Sequence, residues 1–147
     1  MAQVTIKKHI NAPIEQVFDR SADFPNAAKT MSGIERVEML TDGPVGVGTK
    51  FKETRKFYKR EATEQMEVTA FERPRRYALG CENHGCRYHS ELSFEAVDGG
   101  TDVELRFQAE PLTAFAKVMS FVMKPMMKGV TKCIEQDLDD IKSSLEH

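Results

Sequence analysis

The chain has 147 residues, 40% of them hydrophobic, enough for one domain with a real core. Its 21 basic and 23 acidic residues leave a formal charge of −2, so the balance favours neither nucleic acid nor an anionic membrane surface as a partner. Three cysteines without a signal peptide point to a reducing cytoplasm, and no apolar run approaches the roughly 20 residues of a stable membrane insertion.

In chain order, Val4, Ile6 and Ile10 alternate with Thr5, Lys7 and His9, the period of a strand with one buried face. Asn11 suits a helix cap and Pro13 an early helical position, and Ile14, Val17 and Phe18 give the following helix a short apolar face. A second short helix is predicted over 25–31, closed by Ser32-Gly33, and a second strand over 34–40. Residues 41–48 hold Asp42-Gly43-Pro44 and two further glycines, the composition of a loop. From there the pattern predicts a meander of strands at 49–58, 61–71, 76–82, 86–97 and 100–110, with Asp98-Gly99-Gly100 as the last tight turn.

Residues 111–145 predict one long amphipathic helix of about 50 Å. Its stripe runs through Leu112, Phe115, Val118, Met119, Val122, Met126, Val130, Ile134, Leu138, Ile141 and Leu145, with a break near Pro125. The Met-rich segment around the break reads either as adaptable core or as the deformable wall of a ligand cavity. The fold class is therefore α+β: strand, two short helices, six strands and a long C-terminal helix, packed on one face of an antiparallel sheet. Residues 1–144 read as a single domain, and Leu145-Glu146-His147 as an expression-tag remnant.

Strand parity sorts the residues that share the inner face. It places Val103, Leu105, Phe107 and Ala109 there from the last strand, with Tyr88, Ser90, Leu92 and Phe94 from the one before. A two-residue turn at His84-Gly85 sets Cys81 opposite Tyr88 and Leu79 opposite Ser90, bringing Tyr77 to the same side. Met66, Val68 and Ala70 point inward too, and with them go Glu53, Arg55 and Glu64. Ionised groups in a dry core cost several kcal/mol each unless well paired. Two readings follow: a Glu53–Arg55–Glu64 network satisfied in place or at the rim, or the polar pole of a cavity that holds water and ligand.

The chain resembles the SRPBCC superfamily, the helix-grip group of START lipid-transfer domains, the birch-pollen allergen and the polyketide cyclase/dehydratases. Three stretches carry the resemblance. They are Ala12-Pro13-Ile14-Glu15-Gln16-Val17-Phe18, Val45-Gly46-Val47-Gly48-Thr49-Lys50-Phe51-Lys52-Glu53-Thr54-Arg55 and Val97-Asp98-Gly99-Gly100-Thr101. It implies a curved antiparallel sheet gripping the C-terminal helix, with a cavity between them for a hydrophobic or amphipathic small molecule.

On that basis Glu53, Arg55, Glu64, Met66, Tyr77, Cys81, Tyr88, Ser90, Phe107, Met119 and Met126 are the ligand-binding candidates. The function expected is binding or carriage. The alternative is a cyclase- or dehydratase-like enzyme with Glu53, Glu64 or Tyr88 as acid and base. A protein-interaction groove is a third reading, disfavoured because the pattern leaves no large apolar stripe exposed. No cofactor is implied, since nothing matches a phosphate loop, dinucleotide fingerprint or nucleophile elbow. Cys81, His84, Cys86 and His89 have zinc-like spacing, but Cys86 and His89 fall on opposite faces of one strand, so no metal site is expected. The oligomeric state stays open between monomer and homodimer.

Overall fold

The computed structural model describes residues 2–57, 59–83, 85–122 and 127–146. Strand β1 (Ala2–Ile10) leads into α1 (Ile14–Ser21), a 3-10 turn (Phe24–Asn26) and α2 (Ala27–Thr30). The strands β2 (Ile34–Met39), β3 (Lys50–Phe57), β4 (Arg60–Glu72), β5 (Arg76–Asn83), β6 (Cys86–Val97) and β7 (Gly100–Pro111) follow, then α3 (Ala114–Val122) and α4 (Met127–Leu145). The seven strands form one sheet in the order β1-β7-β6-β5-β4-β3-β2. Every neighbouring pair is antiparallel. The meander is as predicted; pairing of β1 with β7 adds the first strand to the last.

Helix α1 buries Val17, Phe18 and Ser21 against the sheet. Phe18 is met edge-on by Phe71, Tyr77 and Phe94, with ring centroids at 5.3, 5.8 and 5.2 Å. Phe24, in the 3-10 turn, stacks on Phe51 at 4.7 Å. Such ring pairs add roughly 0.5–1.5 kcal/mol each beyond their buried area. Asn11 does not cap α1. The cap position is Pro13, and Asn11 instead turns its backbone and side-chain amides to the Glu146 carboxylate. Leu145 packs against the core and Glu146 accepts from Asn11, so both residues contact the rest of the fold.

Parity holds through β5, β6 and β7 and fails at one point in β4. A register shift between Val68 and Ala70 turns Phe71, rather than Ala70, toward the core. In the β5–β6 hairpin Gly85 takes φ +76°, and a Cβ there would come within 3.1 Å of Thr113 Oγ1, so the start of α3 sits over this turn.

The C-terminal stripe divides. In α4 Leu138 and Ile141 are buried, with Ile134 packed against the core. Ahead of it, Leu112, Phe115, Val118 and Met119 are exposed, Phe115 by 75% and Val118 by 64%. The expectation of one continuous buried stripe is therefore wrong for its first half: α3 meets the end of β7 and the β5–β6 turn rather than the face of the sheet. The expected break at Pro125, and Met126 with it, lie outside the described residues.

Candidate functional site

Between the sheet and α4 lies a cavity of about 340 Å³. That is near the lower end of the ~300–1,000 Å³ usual for small-molecule sites. Phe51, Met66, Leu79, Leu92, Leu105 and Phe107 supply apolar wall from the strands, and Phe24, Ala27 and Met31 from the short helical segments. From α4 come Val130, Cys133, Ile134, Asp137, Leu138 and Ile141. The wall is thus mostly hydrocarbon, with four charged side chains among the described residues: Glu53, Arg55, Glu64 and Asp137.

Arg55 is at the centre of the first charged group. Its Nε donates to Glu53 Oε1, two residues along β3 on the same face. Its two terminal nitrogens reach α4, donating to Asp137 Oδ1 at 3.1 Å and Oδ2 at 2.7 Å, a bidentate fork. The side chains of Arg55, Glu53 and Asp137 are only 20%, 11% and 15% exposed. Burial by itself would lower the Arg55 pKa, but the hydrogen bond to Asp137 and the charges of Glu53 and Asp137 outweigh it and push the value up. For Asp137 burial is the larger influence and raises the pKa, against the downward pull of Arg55. Gly33 leaves room for the guanidinium: a Cβ there would lie 3.1 Å from Arg55 Nη1.

Glu64 forms a second, separate polar group. It stands directly opposite Glu53 in the β3–β4 register, yet no hydrogen bond joins it to Arg55. Its Oε2 accepts from Asn83 Nδ2 at 2.6 Å and from the Cys81 thiol at 3.4 Å. Its Oε1 has no hydrogen-bond partner among the described residues, on a side chain that lines the cavity. Burial, then the hydrogen bond and charge of Glu64, push the Cys81 thiol up to about 12. Burial, then Cys86, push the Tyr88 phenol up to about 12. Both groups keep their protons at neutral pH and act as donors. At the α1 end the Tyr77 hydroxyl meets Ser21 Oγ at 2.7 Å and donates to the Ser21 carbonyl at 3.2 Å; burial raises its pKa as well.

Glu53, Arg55, Glu64, Met66, Tyr77, Cys81, Tyr88, Ser90 and Phe107 all line the cavity, as parity expects. The pairings Cys81 with Tyr88 and Leu79 with Ser90 are those of the predicted hairpin. Met119 does not belong: it is 39% exposed on α3 and is not part of the cavity wall. Met126 lies outside the described residues. The expected Glu53–Arg55–Glu64 network is replaced by Glu53–Arg55–Asp137, because α4 delivers a carboxylate that fits both terminal nitrogens of Arg55. Asp137 went unrecognised in the sequence although its spacing carries the signal, three residues after Ile134 and four before Ile141 on the inward stripe. His89 pairs with Gly80, one step from the Cys81–Tyr88 pair and so on the outer face, away from Cys81.

A seven-stranded antiparallel sheet wrapped on a C-terminal helix, with a cavity between them, is the helix-grip architecture. The chain belongs to the polyketide cyclase/dehydrase and lipid transport family, whose sequence model matches residues 1–146, and so to the SRPBCC superfamily that the sequence resembles. No curated protein sequence matches it. Among solved structures it is similar to Ara h 8.0201 (TM-score 0.79, 14% identity, covering 98% of this chain and 97% of that one). TTHA0849 from Thermus thermophilus gives a TM-score of 0.80 at 16% identity, again over 98% and 97% of the two chains. The di-domain ARO/CYC BexL from the BE-7585A biosynthetic pathway gives 0.80 at 15% identity, covering 99% of this chain and 50% of that one. At these identities the likeness is one of fold. No helix among the described residues is long and apolar enough to cross a membrane.

Proposed function

We propose that the chain binds and carries a hydrophobic or amphipathic small molecule in the cavity between its sheet and α4. The observation that carries this reading is the cavity itself: about 340 Å³ walled by aromatic and aliphatic side chains, with a few polar groups gathered on β3, β4 and β5. A fold needing only stability would fill that space, since each unfilled volume forfeits packing contacts. Native mass spectrometry of freshly purified protein, followed by thermal shifts with sterols, aromatic polyketides and long-chain alcohols and amines, tests the proposal. At a hundred-fold excess over Kd a bound ligand stabilises by about 2.7 kcal/mol. Absence of any shift across these classes, with no retained ligand, overturns it.

One arrangement favours a second reading, an enzyme of the cyclase/dehydrase kind. Glu64 presents an uncommitted carboxylate oxygen, and Tyr88, across the hairpin from Cys81, presents a protonated phenol. Together they could take a proton from one carbon or hydroxyl of a bound polyketide and give one to another. Glu53 suits this role less well because Arg55 already holds it. Turnover lost in Glu64→Gln and Tyr88→Phe while ligand binding persists is the result expected of the enzyme; full turnover in both variants rejects it.

A further inference from the structure

We infer that the occupant of this cavity is an amphiphile whose head donates hydrogen bonds, an amine, alcohol or phenol, and not one with a carboxylate or phosphate head. The inference rests on the binding reading above and specifies its ligand class. It follows from which polar groups are already engaged. Arg55, the single cation lining the cavity among the described residues, spends Nε on Glu53 and both terminal nitrogens on Asp137. Three of its five N–H donors are so engaged, and its one positive charge already faces two carboxylates, so an anionic head drawn to it would add a third negative charge to a largely buried group.

Among the charged groups, the atom without a partner among the described residues is an acceptor, Glu64 Oε1; the neutral Tyr88 and Ser90 hydroxyls, which also line the cavity, can accept as well as donate. The charges give the same preference, with three carboxylates facing one cation around the space. Glu53 and Glu64 are directly opposed across adjacent strands, a placement that disfavours both charges and that an incoming donor or cation relieves. Asn83 and Cys81 occupy only Oε2. A carboxylate-headed ligand meets like charge at Glu64, which weakens its binding. An ammonium or hydroxyl meets a free lone pair.

Isothermal titration with three probes of one chain length, decylammonium, decanol and decanoate, each kept below its aggregation concentration, provides the test. Decylammonium should bind tightest and decanoate at least about ten-fold more weakly than decylammonium. Glu64→Gln, which keeps an acceptor oxygen for Asn83, should cut the ammonium-over-carboxylate preference by about ten-fold. Glu67→Gln, on the same strand but facing out beside Lys50, makes the same change in net charge and should leave the preference intact. Decanoate binding as tightly as decylammonium overturns the inference but leaves the binding reading standing. An equal loss of preference in both variants assigns the effect to overall charge and also overturns it. The wild-type comparison decides the matter even if Glu64→Gln fails to fold. Binding of none of the three probes overturns this inference, and the binding reading falls with it only if the wider screen above also gives no shift and no retained ligand.

Discussion

The two polar groups of the cavity start from the same local sequence logic and end differently. Glu53 and Glu64 are cross-strand partners on one face of the sheet, inward by the same parity. Glu53 became part of a closed triad because α4 brings Asp137 to the far side of Arg55, so each ion is held by geometry that only the native packing creates. Glu64 received a neutral amide and a thiol, which support one oxygen and leave the other without a partner among the described residues. The Arg55 group therefore belongs to the architecture, joining α4 to β3, and the Glu64 group is the one the proposal above assigns to a ligand.

The largest expected effect breaks the closed group. Arg55→Ala leaves Glu53 and Asp137 buried without their cation and should destabilise the fold by about 3–5 kcal/mol, read from urea unfolding. Asp137→Asn removes one charged acceptor while Arg55 keeps Glu53, and should cost about 1.5–3 kcal/mol in the same assay. If either variant unfolds at the wild-type urea concentration, the triad is not what fastens α4 to β3.

One turn further along α4, Asp140 offers a pH-dependent way to sharpen the comparison. Its Oδ2 accepts from the Ser32 amide and hydroxyl, both at 2.8 Å, and its Oδ1 from Gln136 at 2.9 Å. Burial works to raise its pKa, but these hydrogen bonds outweigh that and hold it below the ordinary 3.8. A lowered carboxylate stabilises the fold above its unfolded pKa, and the contribution is lost as pH falls through the folded value. The stability gap between wild type and Asp140→Asn should therefore be about 1.5 kcal/mol at neutral pH. It should narrow steadily below pH 3.8. A gap that does not change between neutral and acid pH would show that the carboxylate charge contributes nothing there.

Much of this was legible in the sequence because strand parity is a two-fold rule. Once Phe51, Leu79, Leu92 and Leu105 are taken as inward, the facing of Glu53, Arg55, Glu64, Cys81 and Tyr88 follows. The same rule missed Ala70, where a bulge adds a residue that periodicity does not register. The C-terminal stripe was harder for a physical reason. A 3.6-residue period tells which side of a helix is apolar but not whether a partner covers it. The stripe of α4 meets the sheet, whereas Phe115 and Val118 on α3 face outward with the same periodicity. Asp137 was missed because the identity of the group that Arg55 binds depends on a contact across 82 positions of chain.

The smallest expected effect falls on the open group. Glu64→Gln removes a charge directly opposite Glu53, which favours the fold by roughly 0.2–1 kcal/mol, and weakens the bond from Asn83 by a comparable amount. The two changes oppose each other, so the unliganded variant should melt within about 1 kcal/mol of wild type. On the proposal above, a cavity-lining residue expected to be this nearly neutral for folding has its consequence in what the cavity accepts. Destabilisation as large as that of Arg55→Ala would remove the distinction, because Glu64 would then be a structural ion like Glu53. Its open oxygen would no longer set it apart.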